Sequence, residues 1–398
     1  MGILIIRTDF SNNNIYYAKN LFLNKNIIFI CIDGGRADRA LDSKVIQKFQ
    51  NSDSVFFSEV ITYAPYTNSA LHALISGSYG NRNGCFSYWH SHKFQHSKFK
   101  TIIDYLHENG YYTCVDVPSD LIMPKKNYDE YYISDESEIN LKNHHSELLE
   151  KMKIKNQENQ SFFLHLHYSG IHNGIRDSVL KKYTNFSEEF FNDKKHNEER
   201  YDKLFNDAEQ YIDFIETKLN QLKLLENSII VIFSDHGMSL GEKFGERAYG
   251  ALCYDSTIKS FMLYFCKGLN SRKVSQQIRS VDLMPTILEH IGINLDCKYE
   301  SIDGQSFFPL LSGSKMKENY AYTETGNPLD TKMPPKKPNT KSIRTSEWKL
   351  IVNEYNDSKE LYNLKSDPLE ENNLINRDLQ IESELWIEFL KNQKKAIY

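Results

Sequence analysis

The 398-residue sequence has no Cys-x-x-Cys pair, and its six cysteines are scattered along the chain. A disulfide framework or a cysteine-based zinc site would need a spaced set, so we expect free thiols and a reducing compartment. No apolar run approaches the roughly eighteen residues that a transmembrane helix requires. The apolar patch at Ile3–Ile6 is too brief for the core of a secretion signal. These absences predict a cytoplasmic protein with no transmembrane anchor.

An excess of basic residues is also missing. The chain has 48 lysines and arginines against 53 acidic residues, which gives a formal net charge of −5. Proteins that bind nucleic acid by neutralising phosphates carry the opposite balance. We therefore expect no nucleic-acid partner, and composition leaves the oligomeric state open.

What the sequence does contain is a series of short apolar runs that alternate with helix-like segments. The first is NIIFICIDGGRAD (26–38), in which six apolar residues are followed at once by Asp33 and two glycines. A run of this length is typical of a strand buried on both faces of a sheet. Similar runs at 161–168 and 228–233 predict an α/β fold with a mostly parallel central sheet flanked by helices.

The pattern of apolar and polar residues changes near residue 314. Alternating segments at 342–353 and 359–364 predict a small antiparallel sheet, and residues 380–394 predict a terminal helix. We therefore divide the chain into an N-terminal extension (1–25), a catalytic α/β domain (26–313) and a C-terminal α+β subdomain (314–398).

Acidic and imidazole side chains follow two of the buried strands. Asp33 ends the first run, and Asp235 and His236 end the run at 228–233. Ligands of open α/β sheets bind at the carboxyl ends of the strands. Two carboxylates and one imidazole suit a divalent ion such as zinc, manganese, magnesium or calcium. A strand-end turn with a capping aspartate is the structural alternative for the second motif.

A hydroxyl group is predicted to lie at the same site. The segment APYTNSALHALIS (64–76) has helical spacing, and Thr67 falls in the first turn after Pro65. A helix N-terminus attracts anions, and a hydroxyl beside a metal ion can attack phosphorus or sulfur. A simple helix cap is the alternative role for Thr67, and Ser69 is the rival hydroxyl.

Histidines mark the end of the run at 161–168. His165 and His167 share one face of the strand, and His172 lies just beyond it. We expect His165 in the core, and His167 and His172 as substrate-binding candidates. His172 could also protonate a leaving group. Arg82 is a further candidate for an anion contact, with Arg36 as an alternative.

In their order, these motifs resemble the sulfatase-like branch of the alkaline phosphatase superfamily. The resemblance covers about residues 26–376 and rests on NIIFICIDGGRAD, APYTNSALHALISGSYGNRNG, FFLHLHYSGIH, IIVIFSDHGMSLGE, SVDLMPTILEHI, DGQSFFPLLSG and IRTSEWKLIVN. It implies an alkaline-phosphatase/sulfatase-like fold. It also implies one divalent metal ion (Zn, Mn, Ca or Mg) bound by Asp33, Thr67, Asp235 and His236, with His172 on the substrate.

The nucleophile segment departs from the pattern of that family. Sulfatases proper mature a cysteine or serine to formylglycine in a Cys/Ser-x-Pro-x-Arg context. Here the corresponding positions are Thr67, Ser69 and Leu71, and threonine cannot become that aldehyde. Threonine nucleophiles occur in the phosphodiesterase and phosphotransferase relatives, so this departure favours phosphate over sulfate.

Other family positions lack the usual charged residue. The second acid after the first metal ligand is Gly34, and the acid two residues before the substrate histidine is Gly170. The basic residue that often follows the Asp-His-Gly segment is replaced by Tyr249 or Gly250. The resemblance therefore implies one metal ion rather than two.

The sequence thus predicts a metal-dependent hydrolase or transferase that acts on phosphate esters through a metal-bound threonine nucleophile. Thr67 and His172 would be catalytic, and the substrate would be a small-molecule or glycan phosphodiester or phosphomonoester. One alternative is a sulfatase that acts on a glycan or small molecule. The other is a non-catalytic member of the fold.

Overall fold

The computed structural model describes residues 25–329 and 333–397. The predicted N-terminal extension, residues 1–25, lies outside the described residues except for Lys25.

Nine strands of the described chain form the central sheet. Their bounds are β1 (Asn26–Ile32), β2 (Ser54–Ile61), β3 (Tyr112–Val117), β4 (Glu130–Ile133), β5 (Phe162–Tyr168), β6 (Ser228–Phe233), β7 (Lys259–Cys266), β8 (Arg272–Val274) and β9 (Ile278–Arg279). Their order is β4-β3-β5-β1-β6-β7-β2-β8, with β9 also paired to β2. Only β7 runs antiparallel to its neighbours in the described sheet, which confirms the predicted mostly parallel α/β fold.

Strand β1 lies in the interior of the sheet, and every one of its residues is buried. It pairs in parallel with β5 and β6, and Cys31 stands opposite His167 on one side and Phe233 on the other. The three strands therefore end at the same edge. Asp33, the residues after Tyr168 and the segment that starts at Ser234 meet there.

Helices cover both faces of this sheet in the described residues. Their bounds are α1 (Ala37–Asp42), α2 (Lys44–Gln50), α3 (Thr67–Ser76), α4 (Gly80–Asn83), α5 (Ile102–Glu108), α6 (Leu141–Gln157), α7 (Gly170–Ile175), α8 (Glu188–Asn192), α9 (Lys194–Gln221), α10 (Asp255–Ile258), α11 (Leu283–His290), α12 (Phe308–Leu311) and α13 (Leu379–Gln393). Alternate residues of β1 point to the two faces, as strand geometry requires. Ile30 packs in the cluster that contains α6 and α9, and Phe29 packs in the cluster that contains α3, α5 and α11.

A second sheet forms the C-terminal subdomain. It is antiparallel and four-stranded in the described residues, with β10 (Ala321–Thr325), β11 (Thr340–Arg344), β12 (Trp348–Asn353) and β13 (Ser358–Asn363) in sequential order. The terminal helix α13 packs Leu385 and Phe389 against this sheet. Within the described residues, no helix has the length and apolar character needed to cross a bilayer.

Buried charges join the C-terminal sheet to the catalytic region. The Arg344 guanidinium is 2.5 Å and the Lys349 ammonium 2.7 Å from Oδ1 of Asp255, and all three side chains are buried. Burial alone would raise the pKa of Asp255, but the charges of Arg344 and Lys349 outweigh it and hold that pKa far below its ordinary value. A buried carboxylate with two cationic partners is costly to remove, because each cation would remain in a low-dielectric environment.

We predict that Asp255→Asn lowers the unfolding free energy by about 3–5 kcal/mol near neutral pH, measured by urea denaturation. Because the folded pKa lies below the unfolded value of about 3.9, the Asp255 carboxylate stabilises the fold above that pH and loses its contribution on acidification. The stabilities of variant and wild type should therefore converge as the pH falls below about 4.

Asp213→Asn is the matched control, since Asp213 forms an exposed pair with Lys48 at 3.4 Å. That change should cost less than about 1 kcal/mol. Equal, small losses at the two positions would contradict a structural role for the buried pair.

Candidate active site

Asp33 lies directly after β1 and is the most crowded charged group at the sheet edge. Its backbone N–H donates to the carbonyl of Tyr168 at 3.0 Å, which fixes its position against the end of β5. Three imidazoles approach the carboxylate, with His167 Nε2 3.3 Å from Oδ2. His172 Nδ1 and His236 Nε2 are each 3.4 Å from Oδ1. Burial raises the pKa of Asp33, but the charge of His172 and the contacts with the three imidazoles bring it well below its ordinary value.

Asp235 and His236 follow β6 and face Asp33. Asp235 Oδ1 accepts hydrogen bonds from the backbone of Gly34 at 3.2 Å and of His236 at 2.9 Å. Nδ1 of His236 lies 2.7 Å from the Gly237 carbonyl, which can only accept, so this nitrogen carries the proton. In the neutral ring, Nε2 then keeps its lone pair on the side of Asp33, as in a metal-ligating histidine.

The residues at this edge fit a divalent cation. Oδ1 of Asp33 and Oδ2 of Asp235 are buried and accept no hydrogen bond. One ligand atom from each of Asp33, Asp235 and His236 lies within 4.8 Å of the other two. Burial and the Asp33 charge keep the pKa of Asp235 raised, whereas the two carboxylates raise the pKa of His236 to about 9. Two buried carboxylates this close repel each other, and a cation between them removes that repulsion.

Thr67 supplies the hydroxyl at this cluster. It is the first residue of α3, and its Oγ1 lies 3.3 Å from Asp33 Oδ2 and 3.4 Å from His236 Nε2. The N-terminal end of the helix carries partial positive charge toward the same point. Ser69, the rival hydroxyl, instead donates to the Tyr66 hydroxyl at 2.8 Å. The geometry therefore places Thr67, rather than Ser69, beside the predicted metal ligands.

His172 and Tyr249 form the more open wall of the site. His172 lies in α7, directly after β5, and its side chain is 28% exposed. The Tyr249 hydroxyl is 3.3 Å from Nδ1 and 3.4 Å from Nε2 of His172, and its ring centroid is 4.9 Å from that of His236. Burial lowers the pKa of His172, but the Asp33 carboxylate outweighs it and leaves the pKa raised. His172 and Thr67 thus both lie against the Asp33 carboxylate.

The two strand histidines have no access to substrate. His167 is buried with Nε2 on Asp33, so it orients that carboxylate rather than touching a ligand, and its predicted substrate contact is corrected. His165 is buried in the core as expected, but neither of its ring nitrogens has a hydrogen-bond partner.

The predicted anion contact of Arg82 is also corrected. Its guanidinium pairs with Asp303 at 2.9 Å, and Asp303 accepts its other contacts near the C-terminal end of α3. Thr67 is at the opposite end of that ten-residue helix, about 15 Å away along its axis. Arg36 has a structural role, since its Nη1 donates to the Met238 carbonyl and to Glu242, each at 2.6 Å.

Local structure is consistent with glycine at the two positions where the resembling family has acidic residues. Gly34 has a φ of +74°, and a Cβ there would lie 2.8 Å from the Met238 methyl group. Gly170 has no space for a Cβ because the Tyr168 hydroxyl fills it. At position 34 the positive φ would strain an acidic residue, whereas the Met238 methyl group is the end of a flexible side chain that can shift; at position 170 the Tyr168 side chain would have to move.

Glu136 is a residue of this region that the sequence motifs did not reveal. It follows β4, and its Oε1 accepts a hydrogen bond from the backbone of Ser169, next to His167 and Asp33. Burial raises its pKa. Its surrounding sequence is polar and has no strand or helix pattern that points toward the site.

This arrangement of sheet, strand-end ligands and helix-borne hydroxyl defines a protein of the alkaline phosphatase superfamily. A family model described as Sulfatase matches residues 25–293, and one described as N-sulphoglucosamine sulphohydrolase, C-terminal, matches residues 250–395. The first match covers more than half of the chain, and the chain therefore belongs to the sulfatase family.

Curated relatives and a solved structure agree with that family. Arylsulfatase K from Bos taurus is 28% identical over 176 residues, which is 42% of this chain and 31% of the relative. N-acetylglucosamine-6-O-sulfatase from Bacteroides thetaiotaomicron is 29% identical over 191 residues, which is 45% of this chain and 30% of the relative. The chain thus spans under a third of the length of these relatives. The structure of BT4656 with its substrate D-glucosamine-2-N,6-O-disulfate shares the fold, with a TM-score of 0.71, 16% identity, and coverage of 94% and 98%.

These relatives show that the predicted phosphate-ester chemistry is wrong. They are named as sulfatases, and they support the alternative of sulfate-ester hydrolysis instead. The ligand set does not separate the two chemistries, because sulfate and phosphate esters are both tetrahedral anions. The threonine at position 67 favours phosphate in the sequence, but one residue is not sufficient to decide between sulfate and phosphate esters.

We predict that the metal-free protein binds one divalent ion and that Asp235→Asn weakens this binding at least about tenfold, as loss of a charged ligand should. Calorimetric titration of chelator-treated protein with Zn, Mn, Mg and Ca measures this. At 100 times the dissociation constant, the ion should raise the unfolding free energy of the wild type by about 2.7 kcal/mol.

The exposed carboxylate of Asp202, which pairs with Arg39, offers the control variant Asp202→Asn. It should bind the ion as tightly as the wild type. An unchanged dissociation constant in Asp235→Asn would remove Asp235 from the ligand set.

Proposed function

We propose that this chain hydrolyses sulfate esters with an unmodified threonine as the nucleophile. The observation that carries the proposal is the position of Thr67 Oγ1, 3.3 Å from Asp33 and 3.4 Å from His236, at the head of a helix. In a chain of the sulfatase family, this is where a sulfuryl group would be attacked. Thr67 cannot be converted to an aldehyde, so the hydroxyl itself must react.

Asp33, Asp235 and His236 would hold the metal ion, with Thr67 beside them. A divalent ion bound there would lower the pKa of the Thr67 hydroxyl and offset the negative charge of the sulfate group. Two carboxylates and an imidazole suit Zn, Mn, Ca and Mg alike, and the titration distinguishes among them.

The first step would transfer the sulfuryl group to the protein. Deprotonated Thr67 Oγ1 forms a bond to sulfur as the bond from sulfur to the ester oxygen breaks. The leaving alcohol takes a proton from the protonated imidazole of His172, which lies on the more open side of the site. The sulfuryl group then remains on Thr67.

The second step would restore the site. A water oxygen bonds to the same sulfur, the bond to Thr67 Oγ1 breaks, and sulfate leaves. His172, neutral after the first step, accepts the proton of that water, as a general acid that becomes a general base. Each residue thus returns to its starting protonation state.

Tyr249 is one of the two residues, with Gly250, that stand where the resembling family often has a basic residue. Its hydroxyl faces His172 at 3.3–3.4 Å, on the more open side of the site. A phenolic hydroxyl donates a hydrogen bond but carries no positive charge. We infer that it orients His172 and donates to an oxygen of the bound sulfate.

The proposed substrate class is a sulfated glycan. BT4656 has a sulfated glucosamine as its substrate, and one of the curated relatives is an N-acetylglucosamine-6-O-sulfatase. These names support, by similarity, a saccharide as the alcohol portion of the ester in this chain.

Thr67→Ala should lower kcat for 4-nitrophenyl sulfate by at least about a thousandfold at saturating metal, because the nucleophile is lost. Thr67→Ser should retain turnover within about tenfold of the wild type, since it keeps a hydroxyl. Release of nitrophenolate measures both variants.

Ser69→Ala removes a hydroxyl two residues away and should stay within about threefold of the wild type, because Ser69 faces Tyr66. Turnover of the sulfate ester by Thr67→Ala at the wild-type rate would exclude Thr67 as the nucleophile. A wild type that binds metal but turns over no sulfate ester would favour a non-catalytic member of the fold.

Tyr249→Phe should lower kcat/KM for sulfate esters about tenfold, or about 1.4 kcal/mol, because one hydrogen bond to the reacting group is lost. Steady-state kinetics measures the effect, and Tyr183→Phe on a neighbouring loop is the control. An unchanged kcat/KM in Tyr249→Phe would mean that its hydroxyl does not touch the substrate.

A further inference from the structure

A cavity of about 130 Å³ lies outside the metal cluster. Two segments line it, residues 91–96 after the short turn Tyr88–His90 and residues 120–125 after β3. None of the predicted metal ligands or catalytic residues contributes to its walls. It is therefore a separate recess of the described chain.

Two structural connections link the walls of the cavity to the region of the proposed nucleophile. The Asn68 side chain, one residue after Thr67, donates to Ser91 Oγ in the cavity wall at 2.9 Å. Segment 120–125 follows β3, which runs parallel to β5 and ends at the same sheet edge as β1. The recess is thus reached along the edge that carries the active site.

The size of the cavity selects among ligands. A water takes up about 30 Å³ of liquid, so the recess has room for about four. This is far more than a single metal ion or a lone water requires. It matches a ring-sized organic group instead.

The walls of the cavity combine hydrogen-bonding and apolar groups. His92, His96, Asp120 and Lys125 supply donors and acceptors, whereas Phe94 and Met123 supply apolar surface. Nδ1 of His96 is buried and has no hydrogen-bond partner. Burial and nearby Lys126 lower the pKa of His96, so its ring is neutral and offers one donor and one acceptor. A sugar ring has this same mixture of hydroxyl groups and apolar C–H faces.

Exposed aromatic rings stand on the segment that leads into the cavity. Tyr88 is 48% and Trp89 is 43% exposed, although both are large apolar side chains. The Trp89 N–H donates to the Pro334 carbonyl at 2.8 Å, which fixes its ring. A fixed and exposed aromatic ring is a common feature of ligand-binding surfaces.

We propose that this cavity is a saccharide subsite that binds the sugar unit next to the one that carries the reacting sulfate. This inference rests on the proposed function, because it names the substrate as a sulfated oligosaccharide rather than a sulfated monosaccharide. The sulfate would lie at Thr67, and the neighbouring sugar would contact His96 and Asp120. The adjacent unit would then add to affinity without touching the reacting atoms.

Binding and turnover of heparan sulfate and chondroitin sulfate tetrasaccharides test the subsite. His96→Ala and, as a second variant, Asp120→Asn should raise KM for the preferred tetrasaccharide about tenfold and leave kcat unchanged. Both variants should turn over 4-nitrophenyl sulfate like the wild type, which also shows that they are folded. His196→Ala, at an exposed histidine of α9, is the control.

A binding measurement separates this proposal from the proposed function. In the Thr67→Ala background, calorimetry should show a tetrasaccharide binding at least tenfold more tightly than D-glucosamine-2-N,6-O-disulfate, and His96→Ala should abolish that difference. If this result holds but the wild type cleaves no sulfate ester, the subsite stands and the proposed activity fails. Equal affinity for tetrasaccharide and monosaccharide, or tetrasaccharide affinity unaffected by His96→Ala and Asp120→Asn, would overturn the subsite.

Discussion

The buried charge of Asp33 is the constraint on which the rest of the site depends. The carboxylate is buried at the end of the central strand, and nitrogens of three imidazoles lie 3.3–3.4 Å from its oxygens. The surrounding elements are arranged to hold this group in place. Tyr201 of α9 donates to the carbonyl of Gly34, and Arg36 ties the same turn to the segment after Asp235. The strands, helix α9 and the Asp-His-Gly turn therefore position one carboxylate, and with it the metal site.

The packing around that carboxylate also narrows the chemistry. The positive φ of Gly34 and the Tyr168 side chain beside Gly170 disfavour acidic residues at these positions, and the described residues contain one compact cluster of candidate ligands. Position 67, beside the candidate metal ligands, carries a secondary alcohol. The protein thus combines the fold of the sulfatase family with a threonine hydroxyl at this cluster. Tyr249 and Gly250, where the resembling family often has a basic residue, carry no positive charge.

The fold and the cluster of candidate metal ligands could be predicted from the sequence because they depend on strands buried on both faces. Such strands leave long apolar runs, and their ends coincide with Asp33 and with Asp235 and His236. Strand β4 is short, half-exposed and rich in tyrosine, so it lacks that signal. Strand β10 is buried although it contains Thr323 and Glu324, since its polar groups bond to Tyr63 and its neighbours. Helix α9 begins at Lys194. Its first turns are polar and exposed, so the sequence there shows no helical pattern of apolar residues.

The residues around the ligands were harder to predict, for physical reasons. Glu136 and the partnership of Tyr249 with His172 depend on where long loops fold back, and spacing along the chain does not encode that. Arg82 and His167 have the right chemistry but are held by Asp303 and Asp33. A preference for sulfate or phosphate cannot be read from the ligand set, because both anions are tetrahedral. The proposal of sulfate rests on similarity to relatives that are named as sulfatases.

The central claim is that the Thr67 hydroxyl accepts the sulfuryl group. Mass spectrometry of the metal-loaded protein, acid-quenched during turnover of a sulfate ester and digested, tests it most directly. The account predicts that the peptide containing Thr67 gains the mass of one sulfuryl group, with the modification on that residue and no such gain in Thr67→Ala. Steady turnover with the Thr67 peptide unmodified at every quench time, or with the sulfuryl group on another residue, would contradict it.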